Sequence, residues 1–113
     1  MLLLEKNINK EELQEIAKNI FGNVVKLVVD VENEIIALDA ELHIDLAELL
    51  VKNGSTQKNL WGVNIYPDVE GDDWLEFDSM VNLKPQFGNR SRFVENPIIR
   101  EKIIKIIKSK INL

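Results

Sequence analysis

The sequence contains no cysteine and only one histidine, His43. These two facts exclude disulfides, thiolate metal sites and cysteine nucleophiles, and also a metal centre built from several histidines of one chain. No apolar run approaches the ~20 residues that a membrane-spanning helix needs. The opening Met1 and its three leucines meet Glu5 and Lys6 at once, which is too short for a signal peptide. We therefore expect a cytoplasmic protein without membrane contact.

The composition fits one folded domain. The 113 residues are 45% hydrophobic and 29% charged, which is typical of a globular protein, and they leave no room for two ordinary domains. No internal repeat, low-complexity tract or linker divides the chain. We therefore treat residues 1–113 as a single domain.

Charge is distributed unevenly along the chain. Residues 1–83 carry 6 basic and 17 acidic side chains, whereas residues 84–113 carry 8 basic and 2 acidic ones. An acidic body repels phosphates over most of its surface, so we do not expect extended nucleic-acid binding. The basic end either neutralises the acidic body within the fold or forms a local patch that binds an anion.

Three segments begin with residues that cap helices. In the first two, an Asn or Asp precedes a Glu by three residues, the spacing of a capping box; the pairs are Asn9 with Glu12 and Asp45 with Glu48. In the third, Asn96 precedes a proline, which is tolerated in the first turn of a helix. The sequence therefore predicts an N-terminal helix that ends before Gly22, a short middle helix and a C-terminal helix.

Four segments alternate between apolar and polar residues as half-buried strands do. They are residues 24–31, 34–43, 60–67 and 74–84. A tight turn at Glu32 and Asn33 joins the first two and aligns Leu27 with Leu38. The same register places Lys26 opposite Asp39, which predicts an ion pair across the strands.

The order of these elements predicts an α+β fold. We expect an antiparallel sheet of about four strands, formed by two hairpins. The N-terminal, short middle and C-terminal helices are expected to pack mainly on one face of this sheet.

One side of the predicted sheet collects polar side chains. Alternation assigns to it Asp39, Glu41, His43, Asn64, Tyr66, Glu76, Asp78 and Asn82. This surface is either an ordinary solvated sheet face or a site in which Asn64, Tyr66 and Asn82 bind a ligand by hydrogen bonds.

Two pairs within this set suit catalysis. Glu76 and Asp78 point the same way along a strand and could share a divalent cation, the one cofactor that the sequence suggests. Glu41 and His43 have the same spacing, so Glu41 could orient the imidazole as a general acid or base. Together the pairs predict a metal-assisted hydrolase. Taken alone, His43 is more typical of a structural histidine beside a helix cap than of a catalytic one.

The segment at residues 86–92 suits anion binding. Gly88 and Asn89 tolerate positive φ, so the backbone N–H groups there can turn inward and form an anion-binding nest. If residues 90–94 are extended, Arg90 and Arg92 lie on one side and can hold a phosphate or carboxylate together with Asn89. The alternative is a turn whose arginines pair with carboxylates of the acidic body.

The predicted C-terminal helix contains many isoleucines. Six of them span about 160° of the helix surface, which is wide for one contact. The helix is therefore either deeply buried or contacts a second copy of the chain in a homodimer.

Six segments together form a recognisable pattern: residues 26–32, 41–45, 54–57, 60–67, 76–82 and 88–92. The most specific read Leu-Trp-Gly-x-Asn-x-Tyr-Pro, Glu-Phe-Asp-Ser-Met-x-Asn and Gly-Asn-Arg-Ser-Arg. In these segments the chain resembles a family of small prokaryotic proteins of unknown function. The resemblance implies no activity, but it marks polar positions: Glu41, His43, Asp45, Ser55, Gln57, Asn64, Tyr66, Glu76, Asp78, Asn82, Asn89, Arg90 and Arg92.

The function that the sequence favours is binding. A polar sheet face and a Gly-Asn-Arg-Ser-Arg loop would hold a small anionic ligand, a nucleic-acid end or an acidic peptide. The first alternative is a structural or interaction protein that forms a homodimer through its C-terminal helix, and the second is a metal-assisted hydrolase. No nucleophile motif, phosphate loop or dinucleotide fingerprint supports an enzyme.

Overall fold

Short apolar strands build the centre of the molecule. In the computed structural model, which describes residues 1–113, the strands are β1 (Leu2–Leu3), β2 (Ile8–Asn9), β3 (Val25–Asp30), β4 (Ile35–Leu38), β5 (Leu60–Ile65), β6 (Leu75–Glu76) and β7 (Ile111–Asn112). Five of them form an antiparallel sheet in the order β1-β4-β3-β5-β6. The remaining two, β2 and β7, pair in parallel and join the two ends of the chain.

Three α-helices pack on this sheet: α1 (Lys10–Ile20), α2 (His43–Lys52) and α3 (Pro97–Lys110). The predicted α+β class with an antiparallel sheet is therefore confirmed. The main core contains residues of α1 and α3 together with alternate residues of the strands, such as Leu27 and Val63. A smaller core on the opposite face joins α2 to Val28, Ala37 and Leu60. The face predicted to be polar and open is thus partly covered by α2.

Two of the predicted helix starts are confirmed. Asn9 Oδ1 accepts a hydrogen bond from Glu12 N at 2.8 Å, and Glu12 Oε1 accepts one from Asn9 N at 3.3 Å, which completes the capping box. At the start of α3, Asn96 Oδ1 accepts from Ile98 N at 2.9 Å. These starts were predictable because a local side chain satisfies the free N–H groups of the first turn.

The predicted second helix start is wrong. The strand expected over residues 34–43 ends at Leu38, because Asp39 adopts a left-handed conformation with φ of 71°. The chain therefore enters α2 at His43, and no side chain caps this helix. The Lys26–Asp39 ion pair is absent for the same reason, whereas the predicted alignment of Leu27 with Leu38 is confirmed.

The last predicted strand is also wrong in extent. Residues 74–84 were expected to be extended, but only Leu75–Glu76 pair with β5. The chain then forms two short 3₁₀ helices, Met80–Asn82 and Pro85–Phe87, and residues 91–93 form bends instead of a strand. The side-chain alternation predicted for residues 77–84 and 90–94 therefore does not hold.

The isoleucine-rich face of α3 is explained by burial. Ile103, Ile106 and Ile107 lie in the main core, and Ile98 is the one strongly exposed isoleucine of the helix, at 73%. Arg100 lies near this face and donates from Nη1 to two backbone carbonyls, those of residues 94 and 95. No helix of the structure is long and apolar enough to span a membrane.

A buried carboxylate organises the turn between β3 and β4. Asp30 is fully buried, and its Oδ1 accepts hydrogen bonds from the N–H groups of Glu32 and Asn33 at 2.9 and 3.0 Å. Its Oδ2 accepts from Asn33 Nδ2 and from Ser55 Oγ, at 2.9 and 2.5 Å. Burial by itself raises the pKa of Asp30, but the hydrogen bonds from Asn33, Ser55 and Glu32 outweigh it and hold the pKa below its ordinary value.

We expect Asp30→Asn to lower the free energy of unfolding by about 1–3 kcal/mol, because an amide cannot accept all four hydrogen bonds. Urea denaturation at pH 7 measures this loss. Since the folded-state pKa is lowered, the stability that the ionised carboxylate contributes is present at neutral pH and lost as the pH falls through that pKa. The difference between wild type and Asp30→Asn should therefore shrink in acid. Equal stability of both proteins at pH 7 would show that the cluster is unimportant.

Candidate functional site

A cleft of about 520 Å³ opens between the start of α2, the middle of the sheet and the loop that follows β6. We call it the cleft. Its lining residues are Lys26, Leu42, His43, Ile44, Asn64, Asp78, Ser79, Met80, Val81 and Arg92. Four residues of this lining were predicted site residues: His43, Asn64, Asp78 and Arg92.

His43 is held against the sheet by one hydrogen bond. Its Nε2 lies 2.9 Å from the carbonyl oxygen of Val63. Because a carbonyl only accepts, Nε2 carries the proton and donates it. Nδ1 has no protein partner and retains contact with the cleft. Burial lowers the pKa of His43, so the ring is neutral at pH 7 and presents a free lone pair on Nδ1.

Two cations and one carboxylate supply the charges of the cleft. Arg92 Nε donates to Asp78 Oδ1 at 2.7 Å, and both side chains are about half exposed. This ion pair leaves the terminal nitrogens of the guanidinium free. Lys26 comes from β3 and lies with its Nζ 5.1 Å from the centre of the Phe21 ring. The lining is therefore net positive, although the whole chain has a net charge of −5.

Asn64 contributes an unsatisfied acceptor. The side chain is 8% exposed, and its Nδ2 donates to Glu76 Oε1 at 2.9 Å and to the carbonyl oxygen of Asp78 at 3.2 Å. Its Oδ1 is buried and accepts no hydrogen bond from the protein. A buried acceptor left unpaired costs roughly 1–3 kcal/mol.

The start of α2 leaves backbone N–H groups without a side-chain cap, and the acidic Asp45 lies in the same turn. Leu42 precedes the helix and cannot cap it, so no side chain accepts from the N–H groups of the first turn. Those groups and the helix dipole favour a negative charge. Leu42, His43 and Ile44 all line the cleft, so this helix end is part of its wall.

Gly62 permits the close packing beneath the cleft. A Cβ at this position would overlap Ser79 and would lie 3.2 Å from Cδ2 of His43. Ser79 is buried, and its Oγ accepts from the N–H of Val81 at 3.1 Å. A glycine is therefore required for β5 to contact both the ring of His43 and the loop that carries Ser79.

Two predicted ligand residues are used inside the fold. Asn82 is fully buried and exchanges hydrogen bonds with both backbone groups of Gly62, at 2.8 and 2.9 Å, and its Nδ2 also donates to the carbonyl of Arg92. Asn89 Nδ2 donates to three carbonyls of residues 82, 91 and 93, and its Oδ1 accepts from the N–H of Glu95. These bonds leave no free polar atom on either amide for a ligand.

The remaining predicted ligand residues lie away from the cleft. Arg90 is exposed, and its backbone N–H donates to Glu95 Oε2 at 3.0 Å. Gly88 has positive φ, but the backbone N–H groups of residues 87–89 donate to the carbonyls of Lys84 and Pro85, so they are not free for an anion. Tyr66 donates to Glu76 Oε1 at 3.2 Å and lines a different cavity, next to Trp74. Burial, with the nearby Glu76 charge, raises the pKa of Tyr66.

The predicted catalytic pair is not in contact, and the two carboxylates of the predicted metal pair have other hydrogen-bond partners. Glu41 is exposed, lies in the turn before α2 and is not part of the cleft. The carboxylates of Glu76 and Asp78 are bound to different partners, Asn64 and Tyr66 for one and Arg92 for the other. No group of three or more acidic or histidine side chains is placed to share a metal ion. Metal binding by Glu76 and Asp78 stays a prediction.

Lys84 was missed by the sequence interpretation. It is 6% exposed and has no carboxylate partner; its Nζ donates to the carbonyls of Gln57, Leu60 and Val81 at 2.8–3.2 Å. Nζ also lies 4.6 Å from the centre of the Trp61 ring. Burial lowers the pKa of Lys84 to about 8. Alternation placed this residue at the end of a strand that does not form, so no sequence signal marked it as buried.

A family model described as "Protein of unknown function (DUF5674)" matches residues 2–110. The chain belongs to this family. The resemblance to a family without an assigned activity is thereby confirmed. No curated protein and no solved structure matches the chain. For this member of DUF5674, function is therefore argued from the cleft.

We expect the lowered pKa of Lys84 to be visible in the pH dependence of the free energy of unfolding. Between about pH 8 and the ordinary lysine pKa of 10.5, the unfolded chain binds a proton that the folded chain has released. Stability rises with pH wherever the unfolded state binds more protons. The free energy of unfolding of wild type should therefore rise, relative to that of Lys84→Met, as the pH increases from 7 to 10. Urea denaturation of both proteins measures this, and parallel pH profiles would contradict it.

Proposed function

We propose that the protein is a binding module for a small anionic ligand, which it holds in the cleft. The observation that carries this proposal is the positive lining of the cleft within an acidic chain. Lys26 and Arg92 provide two cations against the single carboxylate of Asp78. The uncapped start of α2 adds N–H groups that favour the same sign of ligand charge.

The polar groups of the cleft define what else the ligand carries. His43 Nδ1 accepts a hydrogen bond because the ring is neutral. A phosphate or carboxylate compound with a hydroxyl or amine group supplies the donor. Leu42, Ile44 and Met80 add an apolar wall, which favours a ligand with some apolar surface.

Several finer expectations from the sequence stay predictions. They include a cytoplasmic location, a prokaryotic source and a nucleic-acid end as the ligand. A homodimer through α3 is also untested, and burial of Ile103, Ile106 and Ile107 leaves little of the isoleucine face for a partner.

The proposal is tested with small anions and two arginine variants. We expect inorganic phosphate and succinate to shift the amide resonances of residues 42–44, 64 and 78–81 in ¹H–¹⁵N NMR titrations. Arg92→Ala should weaken the tighter anion by about fivefold or more, because it removes a charge-assisted hydrogen-bond donor and leaves Asp78 unpaired. Arg90→Ala is the matched control: it removes the same charge from the same loop outside the cleft and should change affinity by less than about twofold.

Two results would contradict the proposal. One is equal weakening by both arginine variants, which would indicate a non-specific charge effect. The other is a set of shifted resonances that lies outside the cleft. Higher salt should reduce the affinity of wild type, since both cations are partly exposed.

A second candidate function, hydrolysis of an anionic ester, is favoured by one observation. The neutral ring of His43 directs a free lone pair from Nδ1 into a cleft that carries two cations. Such a group can act as a general base while Arg92 stabilises negative charge in the transition state.

The hydrolase candidate is tested with p-nitrophenyl phosphate, with and without Mg²⁺ or Mn²⁺. Turnover by wild type should fall by about 10²-fold or more in His43→Asn, because general base catalysis typically contributes that much. Glu41→Gln, which alters a residue outside the cleft, should retain the activity. Absence of turnover by wild type, or turnover that survives in His43→Asn, would remove this candidate and leave binding.

A further inference from the structure

Beside the cleft lies a shallow apolar groove. It runs between α2 and the two 3₁₀ helices Met80–Asn82 and Pro85–Phe87, with a volume of about 190 Å³, and continues along α2 for about a further 180 Å³. Ile44, Met80 and Val81 line both the cleft and the groove, so the two form one continuous surface.

The groove exposes large apolar side chains that the fold itself does not need there. Ile44, Met80, Leu83 and Phe87 are between 42% and 62% exposed. Methionine and aromatic side chains are enriched where proteins bind one another, and a contiguous patch of such residues marks an interaction site. Ile98 on α3 is more exposed than these four side chains, but it lies outside the groove.

The charges around this surface identify its partner as acidic. The cleft and the groove expose three cations and two carboxylates, Lys26, Lys52 and Arg92 against Glu48 and Asp78. A fourth lining cation, Lys84, is buried with its ammonium on three backbone carbonyls. Asp78 is already paired with Arg92. The whole chain has the opposite balance, 14 basic and 19 acidic residues. A local excess of positive charge attracts a negatively charged partner. It also disfavours a symmetric dimer through this surface, because the two positive patches would face each other.

The form of the surface favours a protein segment over a small apolar molecule. A pocket that encloses a small organic ligand usually measures about 300–1,000 Å³. The groove offers about 190 Å³, with about a further 180 Å³ along α2, which is too little to enclose such a ligand. An amphipathic segment fits such a groove by laying one apolar face into it.

We propose that the cleft and the groove together dock an acidic, amphipathic segment of a partner protein. A carboxylate of that segment binds Arg92 and Lys26 in the cleft, and its apolar side chains cover Ile44, Met80 and Phe87. This inference rests on the proposed anion site and identifies the chemical class of its ligand as an acidic peptide.

The experiment is a selection of phage-displayed random peptides on the wild-type protein. Enriched peptides are synthesised, and their affinity is measured by fluorescence anisotropy. We expect them to combine acidic with apolar residues. Met80→Glu should weaken their binding by about tenfold or more, because it places a negative charge on the groove floor, and Phe87→Asp should act in the same way. Ile98→Glu is the matched control, a similar change at an exposed apolar residue outside the groove, and should alter affinity by less than about twofold.

Three outcomes would overturn the proposal. The first is that the enriched peptides bind Met80→Glu and Phe87→Asp as tightly as wild type. The second is that the selection enriches no peptide. The third is that sedimentation shows a dimer for wild type and a monomer for Met80→Glu. The last result would assign the groove to a second copy of the chain. Both groove residues are exposed, so circular dichroism melts of the two variants should match wild type.

The succinate titration separates this inference from the anion site itself. If Arg92→Ala weakens succinate binding while groove variants leave peptide binding unchanged, the anion site is supported and the docking proposal fails. If Arg92→Ala changes neither succinate nor peptide binding, both proposals fail.

Discussion

The structure depends on how the backbone hydrogen-bonding groups of β5 find partners on the side that faces away from β3. On one side β5 pairs along its whole length with β3, but on the other β6 covers only Asn64 and Ile65. The backbone of residues 60–62 would otherwise be a buried edge without partners, which is costly. Asn82 takes the place of a neighbouring strand, since its amide both donates to and accepts from Gly62. Lys84 completes the edge by donating to the carbonyl of Leu60.

The cleft exists because side chains of a loop, instead of a neighbouring strand, bond to this edge of β5. Asn82 also donates to the carbonyl of Arg92, and Asn89 donates to the carbonyl of Asn82, so the loop is tied to β5 through two buried amides. A strand in the same place would have extended the sheet along residues 60–62. The irregular loop instead brings Asp78, Ser79 and Arg92 to the cleft that His43 and Asn64 also line. The Gly-Asn-Arg-Ser-Arg segment therefore contributes one cation to the cleft, and its Asn builds the support.

The sequence predicted those parts of the fold that depend on local chemistry. The capping box at Asn9, the start of α3 at Asn96 and the β3–β4 register follow from side chains close in sequence. The early end of β4 was not predictable, because it depends on the positive φ of Asp39, which alternation does not reveal. The loss of the last strand was not predictable either. Side chains there replace backbone pairing, and a polar residue such as Asn82 reads as solvent-facing although it is fully buried.

The candidate site was predicted in part for the same reason. Asn64 and Arg92 both line the cleft. The position of Asn64 was predictable because β5 is a regular strand, whereas the position of Arg92 depends on an irregular loop that the sequence pattern does not reveal. His43 reached it as the first residue of a helix and not as a strand residue. Its partner is the carbonyl of Val63 instead of Glu41. The hydrolase interpretation thus loses the carboxylate expected to assist the ring, and the binding interpretation gains an open acceptor.

The remaining unpaired groups support a functional role for this side of the molecule. Two buried groups on this side lack their usual partners: Oδ1 of Asn64, and the ammonium of Lys84, which has carbonyl partners but no carboxylate. Asn64 lines the cleft and Lys84 lines the groove. Natural proteins tolerate such costs mainly where function requires them. The opposite side, where α1 and α3 cover the sheet, is an ordinary apolar core. The acidic partner proposed above would stabilise the Lys84 ammonium through the field of its charge.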